Sequence, residues 1–377
     1  MILLLLFAVV PLWATEPKDE TNLSPRLLIS HRGYPAQEHQ VTTKDGYILT
    51  LHRIPGNRKR CRGGRPVLLQ HGLLLTSRDF LSPRRNESLS YALADAGYDV
   101  WIGNSRGNIY SSDHVKYNRS DARFWNFSGD ELGRFDLPAT IDYILKTSKR
   151  KRLFVVGHSQ GALSFLIANT AAPSIRKKVL HFFGLAPAIG TQAAAANLAK
   201  IVAALPQEIL AQLPLDKPAA PVFFPFCADP KMKDVCLGIL AATGPLAQLD
   251  MARLPQLLAH FPGGTSMKLM LHWLQQESKN RTTAFDYGEE GNVKVYGTKL
   301  APAYDFSRYR VPTSLYFSAA DRVVDAASIK QALAVLPHRS LFCTRNLTGF
   351  GHFDFLWGSK ARKEVYSKII KEMRRYK

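Results

Sequence analysis

Two short segments of the chain have the Gly-x-Ser-x-Gly pattern that places a serine hydroxyl in a tight turn. Residues 103–107 read GNSRG, and residues 157–161 read GHSQG. A serine in such a turn can act as a nucleophile when a histidine removes its proton and a carboxylate orients that histidine. The pattern predicts acyl-transfer chemistry at Ser105 or Ser159, and the flanking sequence distinguishes the two.

The sequence around Ser159 fits a strand, a tight turn and a helix, which is the arrangement that exposes a nucleophile at a helix start. The apolar run LFVV precedes this serine, glycines flank it, and ALSFLIANTAA follows with helical character. Ser105 is followed by NIYSSDHVKYN, which is polar and lacks a helical period. We therefore predict that Ser159 is the nucleophile. Residues 103–107 are expected to form a loop at a strand end, with glycines that allow a turn and close packing.

The acid and the base are expected further along the chain, the acid after a late strand and the histidine after the last one. Asp321 ends the segment TSLYFSAAD, and His352 lies in GFGHFDFLW, after SLFCTRNL. Two other carboxylates compete for the role of the acid. Asp325 is suited to cap the next helix, and Asp354 to orient the histidine loop. We predict that Asp321 and His352 act together with Ser159.

Two backbone N–H groups are needed to stabilise the negative charge that develops on the substrate oxygen. The first is predicted at Gln160, directly after the nucleophile. The second is predicted at Leu73, which follows His71 and Gly72 at the end of the apolar segment PVLLQ. Chemistry of this kind requires no metal ion and no organic cofactor.

Alternating strands and helices are expected to position these residues. The segment EHQVTTKDGYILTLHRI predicts a β-hairpin around Asp45 and Gly46. Apolar runs predict strands, most of them covered on both faces, at 66–72, 98–104, 153–159, 179–187, 313–321 and 340–347. Helical patterns cover 87–97, 129–149, 160–172 and 325–336, with a last helix from about 360. This order predicts an α/β fold with a mostly parallel sheet and helices on both faces.

The alternation stops between residues 188 and 300, where the chain is rich in Ala, Leu and Pro. Amphipathic pieces such as SMKLMLHWLQQ occur there without a clear strand of a parallel sheet. We predict that residues 188–300 form an inserted helical cap. The core would then comprise residues 15–187 and 301–377, the second part carrying Asp321 and His352.

The N-terminal run MILLLLFAVVPLWATEP predicts a secretory signal peptide over residues 1–14, because it is too short to span a bilayer and ends in small residues. No second apolar run is long enough for a membrane helix, so we expect a soluble mature protein. Asn-x-Ser/Thr glycosylation sites support a secretory route. They begin at Asn22, Asn86, Asn118, Asn126, Asn280 and Asn346.

The four cysteines and the net charge of +20 give further expectations. Cys227 and Cys236 lie close together across a turn and are predicted to pair, whereas Cys61 and Cys343 either pair or stay free. The charge indicates a basic, solvated surface, or attraction to anionic lipid surfaces or glycans. The basic runs lack interleaved aromatic residues, which argues against nucleic-acid binding.

Eight blocks spread over nearly the whole mature chain resemble the acid lipases, α/β hydrolases that act on triacylglycerols and cholesteryl esters. The blocks are YPAQEHQVTTKDGYILTLHRIP, LLQHGLLLTS, DVWIGNSRGN, FWNFSGDELGRFDLPATIDYI, GHSQGA, HFPGGTSMKLMLHW, PAYDFSRYRVP and GHFDFLW. The resemblance implies an α/β-hydrolase core with a helical cap and lid. It also implies the triad Ser159, Asp321 and His352, oxyanion donors at Leu73 and Gln160, and a Cys227–Cys236 bridge within the cap. The chain departs from the family after HGLL and around SAADRVVD.

The resemblance and the predicted triad together indicate a serine lipase or esterase. It would hydrolyse triacylglycerol, cholesteryl ester or both through an acyl-enzyme, at a lipid–water interface and, as the family implies, at acid pH. We expect a secreted or lysosomal protein. The alternatives are a non-catalytic lipid-binding protein on a hydrolase fold, and an esterase for another lipid ester.

Overall fold

The structure of the chain, a computed structural model, describes residues 20–57, 64–203, 217, 219–222, 227, 230–279 and 281–376. The predicted signal peptide, Cys61 and the glycosylation site at Asn280 lie outside these ranges. Within them, no helix combines the length and the apolar character that crossing a bilayer requires.

A nine-stranded sheet forms the centre of the described chain. The strands of the described chain, of which β8 and β9 form a separate small sheet, are β1 (Gln37–Thr42), β2 (Tyr47–Ile54), β3 (Pro66–Gln70), β4 (Asp99–Ile102), β5 (Asp113–His114), β6 (Leu153–His158), β7 (Val179–Leu185), β8 (Pro221–Val222), β9 (Thr265–Ser266), β10 (Thr313–Phe317) and β11 (Leu341–Asn346). Eight lie side by side in the order β1–β2–β4–β3–β6–β7–β10–β11, while β5 pairs with β2. Every pair from β4 to β11 along this order is parallel. The predicted mostly parallel sheet is confirmed.

The predicted hairpin is also present, with β1 and β2 antiparallel. Gly46 lies in its turn with a φ of 100°, in the left-handed region that favours glycine. The antiparallel pairing of β2 with β4 joins this hairpin to the parallel strands.

Helices connect the strands and cover the sheet. The α-helices are α1 (Pro25–His31), α2 (Leu89–Asp95), α3 (Gly129–Glu131), α4 (Leu137–Ser148), α5 (Gln160–Ala171), α6 (Ile175–Lys178), α7 (Thr191–Ala203), α8 (Lys233–Ala242), α9 (Leu254–Leu258), α10 (Met267–Gln275), α11 (Gly288–Tyr296), α12 (Ala326–Val335), α13 (Asp354–Trp357) and α14 (Ser367–Met373). A π-helical segment, Leu132–Asp136, joins α3 to α4, and a second one, Arg362–Tyr366, precedes α14. The long helix predicted over 129–149 therefore has three parts.

The core lies on both faces of the sheet, which explains the continuous apolar runs. Val67 and Leu69 of β3 pack in one cluster with side chains of α1 and α2. Leu68 points the other way and packs with side chains of α4 and α5. All three are fully buried. A strand covered on both faces has no polar face, so its sequence does not alternate.

Between β7 and β10, the described chain forms α7–α11 and a small antiparallel sheet of β8 and β9. A disulfide joins Cys227 to Cys236, which lies in α8. Cys236 and Leu240 are fully buried and belong to the same hydrophobic cluster as the side chains of α1. Among the described cysteines, Cys343 carries a free thiol.

The asparagines of the described glycosylation sites are all exposed: Asn22, Asn86, Asn118, Asn126 and Asn346. In two of these sites, at Asn86 and Asn126, the serine at the third position is fully buried. The hydroxyl of Ser88 donates to the carbonyl oxygen of Phe80 at 2.6 Å. That of Ser128 donates to Glu131 at 2.9 Å, in the capping box of α3.

Candidate active site

Ser159 lies in the turn between β6 and α5. Its backbone has φ 52° and ψ −120°, a conformation that L-residues rarely adopt and that is typical of a nucleophile elbow. Its N–H donates to the carbonyl oxygen of Leu185 on the neighbouring β7 at 2.9 Å. The adjacent strand therefore holds the strained turn in place.

The glycines around Ser159 are required by close backbone approaches. A Cβ on Gly161 would lie 2.5 Å from the carbonyl oxygen of Gln70, and one on Gly157 would lie 2.8 Å from the nitrogen of Ala162. A Cβ on Gly72 would lie 2.9 Å from the Cβ of Ser159. The loop after β3 therefore packs directly against the serine.

The structure brings Ser159, His352 and Asp321 together, although 193 residues separate the serine from the histidine. Nε2 of His352 lies 3.0 Å from Oγ of Ser159, and Nδ1 lies 2.9 Å from Oδ2 of Asp321. All three residues are buried: Ser159 is 6% exposed, His352 is 5% exposed and Asp321 is 1% exposed. An imidazole that donates from Nδ1 to the carboxylate presents the Nε2 lone pair to the hydroxyl, as a general base must.

Backbone N–H groups orient the carboxylate of Asp321. Its Oδ1 accepts from the nitrogens of Val323 and Val324 at 2.8 and 2.9 Å. Oδ2 therefore remains directed at His352.

The two rival carboxylates have structural partners. Asp325 is the N-cap of α12 and accepts from the nitrogen of Ser328 at 2.9 Å. Asp354 accepts from the nitrogen of Gly351 at 2.7 Å and thereby closes the turn that carries His352. Both contacts agree with the roles expected from the sequence.

The two predicted backbone donors lie beside Ser159. Leu73 follows Gly72 and lines the cavity in front of the serine. Gln160 is the first residue of α5, where helix N–H groups point outward and favour negative charge. The side-chain oxygen of Gln160 accepts from the indole N–H of Trp273 at 2.5 Å, a contact that sequence reasoning missed.

His158 is a further buried residue that sequence reasoning missed. Its Nε2 lies 3.0 Å from the carbonyl oxygen of His352 and donates to it. Burial, and then the proximity of His352 and His71, holds the pKa of His158 well below its usual range. The imidazole is therefore neutral and adds no positive charge beside the base. A histidine between an apolar strand and the elbow serine was the signal that could have identified it.

An apolar cavity of about 120 Å³ opens in front of Ser159 and His352. Part of its wall comes from the segment between β7 and β10. The lining includes Leu73, Leu198, Ile201, Ile239, Phe261 and Trp273. A cavity of this chemistry suits a hydrocarbon chain rather than a polar group.

Ser105 has different surroundings. It follows β4 in a loop, as expected, and its hydroxyl accepts from the side-chain amide of Gln70 at 3.0 Å. Gly107 has a φ of 79°, and a Cβ on Gly103 would lie 2.5 Å from Gln70, so these glycines serve the turn and close packing.

Comparison with known proteins matches the chain to the α/β hydrolase fold over residues 65–359 and to a partial α/β-hydrolase lipase region over residues 26–83. Human lysosomal acid lipase/cholesteryl ester hydrolase is 36% identical, covering 97% of this chain and 94% of its own length. Gastric triacylglycerol lipase of Bos taurus is 35% identical, covering 96% and 93%.

Two solved structures support the fold alone. An esterase from Pyrococcus furiosus matches with a TM-score of 0.51 and 14% identity, covering 94% of each chain. A carboxylesterase from Bacillus subtilis matches with a TM-score of 0.52 and 12% identity, covering 92% of this chain and 94% of its own.

Proposed function

Because this chain belongs to the acid lipase family of α/β hydrolases, we propose that it hydrolyses lipid esters with Ser159 as nucleophile. His352 acts as general base and acid, and Asp321 orients it. The observation that carries this proposal is the run of hydrogen bonds from Oγ of Ser159 through His352 to Asp321. The apolar cavity beside the serine supports a substrate with a hydrocarbon chain.

In the acylation step, Oγ of Ser159 attacks the ester carbonyl carbon while Nε2 of His352 takes the hydroxyl proton. The imidazolium then gives this proton to the departing alcohol oxygen as the carbon–oxygen ester bond breaks. The acyl group remains on Ser159, and Asp321 stabilises the transient positive charge of His352.

In the deacylation step, His352 takes a proton from water, and the resulting hydroxide attacks the acyl carbon. The proton returns to Oγ as the fatty acid leaves. The backbone N–H groups of Leu73 and Gln160 stabilise the oxyanion in both steps. One such donor typically contributes about 10²–10³ in rate.

Residues 188–300 act as cap and lid in this proposal, on a core formed by residues 15–187 and 301–377. Side chains of α7 and α8 line the cavity, which supports a role of the cap in holding the acyl chain. The protein would meet its substrate at a lipid–water interface, where the net charge of +20 favours anionic surfaces.

A secretory route leads to a secreted or lysosomal protein. The Cys227–Cys236 disulfide and the exposed glycosylation asparagines support this route. The similar proteins are named for triacylglycerol and for cholesteryl ester, so these are the first substrates to test.

The experiment measures fatty acid release from emulsified trioleoylglycerol and cholesteryl oleate across acid and neutral pH. Wild-type protein should release fatty acid and should react at Ser159 with a fluorophosphonate probe. Ser159→Ala should abolish both. A wild-type protein without turnover or labelling would overturn the proposed hydrolysis and favour the lipid-binding alternative. Activity confined to neutral pH would contradict the acid operation that the family resemblance implies.

A further inference from the structure

We propose that residues 243–245, the segment directly after α8, are a positioning element for the acid and the base of the site. We call this segment the brace. This inference rests on the proposed function. It adds a role for the cap, which covers the cavity and also fixes the positions of Asp321 and His352 relative to each other.

One carbonyl group of the brace contacts both loops that carry these side chains. The carbonyl oxygen of Thr243 accepts from the nitrogen of Arg322 at 3.1 Å and from the nitrogen of His352 at 3.4 Å. Arg322 directly follows Asp321 in the chain. A carbonyl oxygen has two lone pairs and can accept both bonds. The same atom therefore links the loop of the acid to the loop of the base.

Close backbone packing reinforces this link. A Cβ on Gly244 would lie 2.7 Å from Cα of Gly351 and 3.2 Å from the carbonyl oxygen of Ala320. A Cβ on Gly351 would lie 2.7 Å from the carbonyl oxygen of Pro245. Gly244 also has a φ of 145°, in the region that favours glycine. The brace and the two loops thus fit only because neither glycine carries a side chain.

The brace is firmly anchored in the cap. The hydroxyl of Thr243 donates to the carbonyl oxygen of Leu240 at 2.7 Å, and Leu240 is fully buried. One turn earlier, Cys236 is buried and bonded to Cys227. The end of α8 is therefore fixed to the core, and its position fixes the brace.

The brace also faces the cavity. Thr243 and Ile239 both line the space in front of Ser159. The element that would contact an acyl chain is therefore the one that holds the acid and base loops. A displacement of α8 would move His352 relative to Ser159, and a misplacement of about 1 Å can cost about 10²-fold in rate.

The test compares Gly244→Ala with Gly238→Ala. Gly238 lies in α8, and a Cβ added there meets nothing within 4 Å, so it is a matched control. With a soluble p-nitrophenyl ester, Gly244→Ala should lower kcat about 10- to 100-fold with little change in KM. Gly238→Ala should match wild type in both measurements.

Two results separate the brace from the function on which it depends. A folded Gly244→Ala variant with the kcat and KM of Gly238→Ala would overturn the brace and leave ester hydrolysis intact. A wild-type protein that neither turns over an ester nor reacts with a fluorophosphonate would overturn the function itself.

Thermal unfolding shows whether Gly244→Ala folds. If it does not, Gly351→Ala disturbs the same contact from the histidine loop and should show the same loss of kcat. Hydrogen exchange on the wild-type protein gives a measurement independent of variants. The amides of Arg322 and His352 should be protected by about 10²-fold or more, and unprotected amides would contradict the proposal.

Discussion

The backbone N–H of Ser105 donates a 3.0 Å hydrogen bond to Nε2 of His71. Burial lowers the pKa of His71 to about 4, so the imidazole is neutral and accepts at Nε2, while Nδ1 donates to the carbonyl oxygen of Gly72 at 2.8 Å. The first Gly-x-Ser-x-Gly segment thus supports the loop that carries Leu73. We therefore assign residues 103–107 to the architecture of the site and the attack on substrate to Ser159.

Replacement of this serine is the first prediction. Ser105→Ala removes the hydrogen bond from Gln70, which costs about 1 kcal/mol of unfolding free energy, and leaves the contact between Ser159 and His352 intact. We expect kcat on a soluble ester within about tenfold of wild type, alongside an inactive Ser159→Ala. Complete loss of activity in a folded Ser105→Ala, with activity retained in Ser159→Ala, would reverse the assignment.

Arg106 gives a prediction for stability. Its guanidinium is fully buried and pairs with Asp45 at 2.5 Å and with Asp136 at 2.6 Å. Arg106→Met leaves two carboxylates without their cation, which should lower the free energy of unfolding by about 3–5 kcal/mol in urea titrations. Arg123→Met is the control, because its pair with Asp121 lies at the surface and should contribute nothing measurable. Equal stability of the two variants would contradict the structural role of Arg106.

Asp79 gives a prediction for pH. Burial raises the pKa of Asp79 to about 7 from 3.8, so the folded state binds this proton more tightly than the unfolded chain does. The contribution of this group to the free energy of unfolding is therefore largest at low pH and falls as pH rises from about 4 to 7.

Asp79→Asn should remove that slope while keeping an acceptor for the nitrogen of Thr76, which Asp79 now contacts at 2.7 Å. Urea unfolding of both proteins at several pH values measures the difference. Burial lowers the pKa of His71, so its contribution to the free energy of unfolding changes with pH in the opposite direction. Because His71 is present in both proteins, its contribution cancels when they are compared. Parallel stability curves would show that Asp79 does not titrate in this range.

Trp273 gives a prediction for catalysis. Trp273→Phe removes the indole N–H that holds the side chain of Gln160, whose backbone N–H we assign to the oxyanion. The loss of a bond of about 1 kcal/mol should lower kcat about fivefold on a soluble ester. Trp125→Phe removes a comparable bond to the carbonyl oxygen of Arg119 and should leave kcat unchanged. The same kcat in both variants would show that Gln160 needs no such support.

The strands and the candidate triad could be predicted because their signals are local. Buried strands carry continuous apolar residues, and the elbow places Ser159 between β6 and α5 in a fixed pattern of small residues. Asp321 and His352 then follow from chain order. The short strands β5, β8 and β9 have two residues each, so they carry no period that a sequence pattern could detect.

Other features of the site depend on contacts between distant backbones. The carbonyl of Thr243 contacts Arg322 and His352, and a main-chain oxygen leaves no trace in the residue type. The pairing of Arg106 with Asp45 and Asp136 joins three separate segments, so only the tertiary fold identifies the partners. The available signal was the single charged residue within GNSRG, and the sequence did not indicate which carboxylates it contacts.

The burial of Ser88 and Ser128 has a consequence for the order of events during synthesis. An oligosaccharide-transferring enzyme must reach the hydroxyl of the acceptor sequence as well as the asparagine, and in the finished protein both hydroxyls are enclosed and bonded. Sugar chains at Asn86 and Asn126 would therefore have to be attached to the nascent polypeptide, before these segments reach their final conformation. Once the chain has folded, sugar chains can no longer be attached at these two positions.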